Sequence, residues 1–407
     1  MNKKTQKILF CFALFFLMLF LSNCSIDLKK AELSESQLIY DGNGANGIMP
    51  PQIFNGEKKV TVKNNLFNPS GTNIKIQKED FVLVGGDLVF DSWNTQADGS
   101  GKKYLPGNKI TVPNNTKLVL YAQWTRQGNY SFNVVLEYGN PAQTVSFINP
   151  FYICNHEVTV EEWNTFCQHP QDAATQDNKP ITRVSWYDAI VYCNVRSIAD
   201  GFTPVYILDG KRDPSQWTNT VTVDQNGIYT IDSNQTADII KITKDDNANG
   251  YRLPLLCEWQ YAALGDFKDS EYWNGINDSR NPNFLVFSGY NGENIDDYYQ
   301  YAVLCTSDST SEYLNMLEPV KQKQPNSYGI YDMTGNAWEW VWDVSIQSAD
   351  RRYTPGGGVQ SSISNSFRTS INVVGFRYYN DKDFVWDLPA DYRDVANGFR
   401  VVRTCFE

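Results

Sequence analysis

The chain has 407 residues, 20% of them charged and 14% aromatic, which suits two or three globular domains rich in strand and loop rather than a disordered chain. A formal net charge of −11 argues against a nucleic-acid partner, since phosphate binding needs clustered Lys and Arg. His156 and His169 are the only two histidines, which excludes a three-histidine metal centre and leaves few candidates for histidine acid–base catalysis.

In chain order, "MNKKTQK" is a basic lead and Ile8 to Leu21 an apolar run of signal-peptide length, short for a membrane span. It leads into "LSNC", ending at Cys24. This resembles a bacterial lipobox, although Asn23 departs from the small residue usual before the Cys. The resemblance implies a lipoprotein signal peptide over 1–24, lipidation of Cys24, and attachment to a bacterial membrane at its periplasmic face or at the cell surface. Several acyl chains would make that anchoring stable. The other reading is an uncleaved anchor helix, and both place the protein outside the cytoplasm on a membrane. Residues 25–37 read as a polar tether. Beyond Cys11 and Cys24 stand Cys154, Cys167, Cys193, Cys257, Cys305 and Cys405, with no C-x-x-C pair. That argues against a zinc knuckle or thioredoxin-type site, and any disulfide connectivity is not legible.

From 38 to 125 the chain reads as short strands between turns: "QLIYDGNGANG", "KKVTVKNN", "DLVFDSW", "ADGSG" and "TKLVLYAQW". Tyr40–Gly44, Trp93, Gly99, Tyr104, Gly107 and Tyr121–Trp124 form a framework that resembles the internalin B-type repeat, a small β-grasp module of bacterial surface proteins. The resemblance implies a role in spacing or adhesion; the residues by themselves support a generic small β-domain. A strand pair follows in "TRQGNYSFNVVLEYGNPAQTVSF". "HEVTVEEWNTFCQHP" predicts a short helix capped by Thr159, with Glu162 closing the box. "VSWYDAIVYCNVRS" predicts a second, capped by Ser185, with Trp186, Ala189, Ile190 and Cys193 in one apolar stripe. Residues 203–250 read as strands and polar loops, and "YRLPLLCEWQYAALGD" as a third helix behind a Pro. From Asp269 onward there is no long helical period.

Six motifs stand in order: "HEVTVEEWNTF", "PITRVSWYDAIVYCN", "YRLPLLCEWQYAALG", "NSYGIYDMTGNAWEWVWD", "YTPGGGVQSSISNSFR" and "ANGFRVVRT". They closely resemble the formylglycine-generating enzyme (sulfatase-modifying factor) family over 135–404. The implied fold class is α+β: a small β-grasp repeat domain followed by a loop-rich, C-type-lectin-like domain with few helices. The resemblance also implies a structural Ca²⁺ loop holding the ion by the side chain of Asp332, the carbonyls of Gly335 and Ala337, and the side chain of Glu339. Hard oxygen donors on an irregular turn suit Ca²⁺. The other reading satisfies both carboxylates with backbone donors and no metal. Trp338, Trp340 and Trp342 alternate and are expected in the core.

Enzymes of that family oxidise a substrate Cys with two copper-binding Cys. At the nearest positions this chain has Ser361 and Ser366, and no Cys lies between Cys305 and Cys405. A hydroxyl is a hard, high-pKa ligand that cannot replace a thiolate on Cu(I). No copper and no catalytic residue are therefore expected, and two His cannot build the iron centre of the family's sulfoxide-synthase branch. The Thr that caps the family's third helix is Leu255 here, and the usual disulfide mate of Cys193 is Val401, with Cys405 the nearest substitute. Glu157 and Glu258 read as buried-edge hydrogen-bond acceptors and His156 as a surface or packing residue. Arg252, Arg377, Arg400 and Arg403 are expected to form bidentate pairs with carboxylates such as Asp343 or Asp394. The leading functional expectation is a non-catalytic, lipid-anchored envelope module that binds protein or glycan, with no nucleic-acid role. "DDYYQYAV" and "FRYYNDKDFVWDLPADY" are its contact loops, or else core. The alternatives are an enzyme with altered, copper-independent chemistry near Ser361, Ser366, Arg368 and Arg377, and a scaffold subunit held by its stalk.

Overall fold

The structure, a computed structural model, describes residues 35–69, 74, 76–128, 130–134, 144–170, 173–217, 221–231, 241–265, 300–303, 317–344, 350–359 and 386–405. The chain folds into two compact units, Met1–Ile74 with Phe90–Trp124, and Lys75–Val89 with Thr125–Glu407. Residues 75–89 lie within the segment expected as one small module, yet group with the second unit.

The first nine strands are β1 (Glu35–Asp41), β2 (Gln52–Asn55), β3 (Lys58–Thr61), β4 (Gln77–Lys78), β5 (Phe81–Val84), β6 (Asp87–Asn94), β7 (Lys103–Tyr104), β8 (Lys109–Val112) and β9 (Lys117–Gln127). One sheet runs β2-β1-β9-β6-β7, and β3 pairs with β8. β1 is parallel to β9, with Leu38 opposite Leu118 and Tyr40 opposite Leu120. Period-2 alternation in β1 buries Ser36, Leu38 and Tyr40 on one face. Tyr40 packs edge-on against the fully buried Trp93, ring centres 4.8 Å apart. The "DGNG" turn ends β1 as expected: Asn43 takes a left-handed φ of 50°, and its N–H donates to the Asp41 carboxylate at 2.7 Å.

In the second unit β10 (Tyr130–Val134) and β11 (Thr144–Ile148) form the predicted antiparallel pair. β12 (Phe151–Cys154) is followed by helices α1 (Val160–Asn164) and α2 (Trp186–Ala199). Next come two small pairs, β13 (Tyr206–Ile207) with β16 (Thr243–Lys244) and β14 (Val221–Val223) with β15 (Tyr229–Ile231), then β17 (Tyr251–Arg252) and helix α3 (Leu256–Leu264). β18 (Trp338–Glu339) runs parallel to β21 (Asn397–Gly398), β19 (Arg351–Thr354) is antiparallel to β20 (Trp386–Pro389), and β22 (Val402–Thr404) closes the chain. The central sheet is ordered β17-β22-β12-β5-β4. With 5-, 14- and 9-residue helices among short strands, the architecture is the expected α+β.

Local sequence explains the helix starts. Thr159 forms the predicted capping box with Glu162, and Ser185, predicted only as a cap, forms one too with Asp188 as the reciprocal acceptor. Ser185→Ala is expected to lower stability by about 1 kcal/mol, read as a fall in thermal midpoint of roughly 2–4 °C; an unchanged midpoint would show the box to be dispensable. At α3, Leu255 offers no side-chain cap. The Asp343 carboxylate fills that role, accepting from Leu256 N–H at 2.6 Å, while Glu258 accepts from Leu255 N–H at 2.8 Å. α2 differs from the expected single stripe. Tyr187, Asp188, Val191, Tyr192, Asn194 and Ser197 are buried along with that stripe, because the helix runs through the core of a loop-rich domain rather than along its surface. Cys193 is not joined to Cys405, so the substitute pairing does not form. Cys305 lies outside the described residues.

Candidate functional site

The loop from Tyr331 to Glu339 turns on three residues in left-handed conformation, Asp332 (φ 56°), Gly335 (φ 85°) and Asn336 (φ 60°). At Gly335 a side chain would collide with the carbonyl of Val303, so glycine is required there on two grounds. The turn carries Asp332 and Glu339 to a buried cluster shared with Glu157, from the chain after β12, and Arg400, from the "GFR" stretch between β21 and β22. Arg400 grips Glu339 bidentately, Nε to Oε2 and Nη2 to Oε1, both at 2.6 Å. It also donates to the carbonyls of Cys154 and Tyr331. Trp259 Nε1 adds a third bond to Glu339 Oε2, at 2.7 Å. Glu157 accepts from Ala337 N–H at 2.9 Å and Asn336 Nδ2 at 3.0 Å, the acceptor role expected of it.

Three carboxylates therefore face one guanidinium in a buried space. Burial, with Asp332 and Glu339 as like charges, holds the Glu157 carboxyl well above the usual range. Asp332 is pushed up to about 6, first by burial and further by Glu339 and Glu318, against the opposing Lys321 N–H and Arg400. Asp332 Oδ2 accepts from Lys321 N–H at 2.8 Å, but its buried Oδ1 has no partner.

Among the described residues no group of three or more His, Cys, Asp and Glu side chains is placed to hold a metal. The expected Ca²⁺ set needs only two side chains, the others being carbonyls. Asp332 Oδ1 is an orphaned hard donor, as that set requires. Glu339 Oε2 has both acceptor positions filled by Arg400 and Trp259, whereas Oε1 takes one bond from Arg400 and keeps a second lone pair. Asp332 Oδ1 and a lone pair of Glu339 Oε1 are thus the carboxylate acceptors left open in this loop.

The other sequence-derived residues divide clearly. Ser361, Ser366, Arg368, Arg377 and Cys24 lie outside the described residues, as do half of the first aromatic contact segment and most of the second. Trp340 is fully buried, with Nε1 donating to Val184 O, Trp338 is nearly so, and Trp342 packs against Trp186 and Tyr206. For Arg252, Arg400 and Arg403, Asp343 and Asp394 are not the partners. Asp343 caps α3 and Asp394 accepts from Ala396 N–H, while Glu258 pairs with Arg252 through bonds of 2.6 and 2.8 Å. Arg403 forms no such pair: it donates to Asn249 O and stacks over Phe202 at 3.6 Å. His156 is a buried packing residue. Its Nδ1 lies 3.1 Å from Cys154 Sγ, but burial raises that thiol to about 12 and lowers His156 to about 4. A thiol so disfavoured as thiolate is not a nucleophile. Sequence reasoning missed Asp343 as a cap and a cleft built from Arg183, Tyr229 and Arg393; no periodicity or spacing marks either.

A family profile described as the sulfatase-modifying factor enzyme 1-like domain matches residues 109–405. Chaperone protein LppX of Paenibacillus barcinonensis is 32% identical over 229 residues, covering 54% of this chain and 72% of that protein. The formylglycine-generating enzyme of Bos taurus is 31% identical over 110 residues, 26% of each chain. A Mus musculus protein named inactive C-alpha-formylglycine-generating enzyme 2 is 31% identical over 94 residues, 23% of this chain and 26% of that one. The matches to these two mammalian proteins thus span about a quarter of their length.

Proposed function

The chain belongs to the sulfatase-modifying factor enzyme 1-like family, and on that premise we propose a non-catalytic member, a lipid-anchored envelope protein whose family domain binds protein or glycan ligands. The observation that carries this reading is the absence of any Cys between Cys305 and Cys405, which leaves Ser361 and Ser366 where copper-binding thiolates are expected. A relative named as inactive and another named as a chaperone agree with binding rather than oxidation. The lipobox-like "LSNC" supports anchoring through Cys24. The strand-rich first unit then serves as a β-grasp stalk. A structural Ca²⁺ held by Asp332, Gly335, Ala337 and Glu339 completes the reading. Bound there, the ion would offset the repulsion between carboxylates and occupy the unpartnered Asp332 oxygen.

The test uses the full-length chain in mild detergent, titrated separately with Cu(I) and Ca²⁺ while tryptophan fluorescence and thermal unfolding are followed. Ca²⁺ at about a hundred times its Kd stabilises by about 2.7 kcal/mol, so a rise of several degrees is expected. Asp332→Gly, which tolerates the left-handed backbone while removing the ligand, is expected to abolish the rise. Cu(I) is expected to bind weakly and to support no oxidation of a Cys-containing peptide. Tight copper binding with peptide oxidation would overturn the non-catalytic reading. A midpoint indifferent to Ca²⁺ would overturn the calcium assignment alone.

A further inference from the structure

The second unit contains a cleft of about 410 Å³, within the range of small-molecule sites, and none of its lining residues belongs to the acidic cluster. Arg183 and Arg393 both line it. Arg393 is locked by Asp188, Nε to Oδ2 at 2.8 Å and Nη2 to Oδ1 at 2.6 Å. Asp188 is itself fixed by Ser185 N–H at 2.7 Å in the cap of α2. The arrangement spends two of the five Arg393 donors and orients the rest. Arg183 sits in a left-handed conformation, φ 57°, which costs a non-glycine residue energy and persists only where its surroundings impose it. Its N–H donates to the carbonyl of Asp394 at 2.9 Å, so the loop that carries Arg393 also positions Arg183.

The remaining wall is neutral. Gln168 and Tyr229 are tied by a backbone bond of 2.8 Å, and Thr230 Oγ1 donates to Gln168 Oε1 at 2.8 Å. The half-buried Tyr229 also lines the cleft. Burial, then Asp213 and Cys167, raises its hydroxyl above the ordinary value, keeping it a neutral donor. At the same rim, His169 Nδ1 is engaged by Asn164 at 3.2 Å, while its buried Nε2 has no partner.

The geometry points to a carboxylated sugar, a hexuronate unit of an acidic glycan, as the ligand of this cleft. The carboxylate meets the two guanidinium groups, whose planar donors match it. The pyranose face lies on the Tyr229 ring, and its hydroxyls reach Gln168 and Thr230. Among the described residues that line it are two cations and one carboxylate, and on a chain of net charge −11 such a site also concentrates a small anion that the rest of the protein repels. A peptide carboxylate would use the arginines alone and leave the neutral wall without matching hydroxyls. This assignment rests on the reading of the family domain as a binding module and supplies the class of its glycan ligand.

The full-length chain in mild detergent is titrated calorimetrically with trigalacturonate, with its fully methyl-esterified form, and with a short peptide ending in a free carboxylate. The free acid is expected to bind, with the ester and the peptide each about ten-fold weaker or worse, and with affinity falling as salt rises. Arg183→Asn removes one guanidinium but keeps a residue tolerant of φ 57°. It is expected to weaken trigalacturonate binding about ten-fold or more while the protein stays folded, with a cooperative thermal transition. Equal binding of acid and ester, tighter binding of the peptide, no binding of any probe, or a folded Arg183→Asn variant that binds like the parent would each overturn the assignment. The copper titration separates this failure from that of the wider reading, since it reports on catalysis and involves no cleft residue.

Discussion

Arg400→Ala is expected to lose about 3–5 kcal/mol of stability, because it leaves the Glu339 carboxylate charged, buried and without its main partner. Both side chains are fully inaccessible to solvent, and the lost contacts include two bidentate bonds of 2.6 Å and two bonds to carbonyls. Against a total stability of about 5–15 kcal/mol for an ordinary domain, that loss would leave a visible unfolded population at 37 °C. Glu339→Leu leaves the opposite orphan and is expected to cost a similar amount. Replacing both partners together, Glu339→Leu with Arg400→Leu, is expected to lose much less than the sum of the single changes, since no buried charge is stranded. Urea unfolding of the four proteins measures this coupling. A loss below about 1 kcal/mol for Arg400→Ala would mean that water reaches the pair, and the buried cluster would then have no structural role. The pair also anchors β18 to the "GFR" stretch.

What could be read in the sequence is what local chemistry decides. The Ser/Thr-x-x-acid spacing at Thr159 and Ser185 gives complete capping boxes, because cap and acceptor sit three residues apart. The "DGNG" turn and the Gly335–Asn336 turn follow from residues that accept positive φ. Long-range partners were not readable in the same way. β5 pairs with β12, Val84 opposite Phe151, and nothing in "FVLV" distinguishes that partner from the neighbouring strands of the first unit. Arginine–carboxylate pairing was foreseen as a type of interaction, but Arg400 and Arg252 chose Glu339 and Glu258 over Asp343 and Asp394. The choice depends on which carboxylate the fold buries beside the guanidinium, and sequence spacing carries no such information. The loss of a capping residue at Leu255 was legible, whereas its repair by Asp343, 87 residues beyond the Leu256 N–H it accepts from, was not. The acidic loop was legible by donor type; the unpartnered Asp332 oxygen, which gives that loop its chemical interest, emerges only from three-dimensional packing.

Asp343→Asn is expected to stabilise the protein at pH 7.5 and to leave it unchanged near pH 4. Burial pushes the Asp343 carboxyl up to about 6, and the nearby Glu258 raises it further, while Leu256 N–H pulls the other way. In the unfolded chain the group titrates near its ordinary value of about 3.9. Between those two values the folded protein holds more protons than the unfolded one, so stability falls as pH rises through that window and levels off above it. Two pKa units correspond to at most about 2.7 kcal/mol; the carboxylate is only partly buried, so roughly 1–2 kcal/mol is expected after allowing for solvent screening. Asn removes the titration but keeps an oxygen that can accept from Leu256 N–H, so the cap of α3 survives. Urea unfolding of parent and variant at pH 4, 6 and 7.5 should show a difference that opens from near zero to its full size. Asp332 and Glu157 titrate in both proteins and cancel in that difference. A variant less stable than the parent at pH 7.5 would reverse the argument, showing that attraction between the Asp343 charge and the exposed N–H groups at the start of α3 exceeds the penalty of burying it.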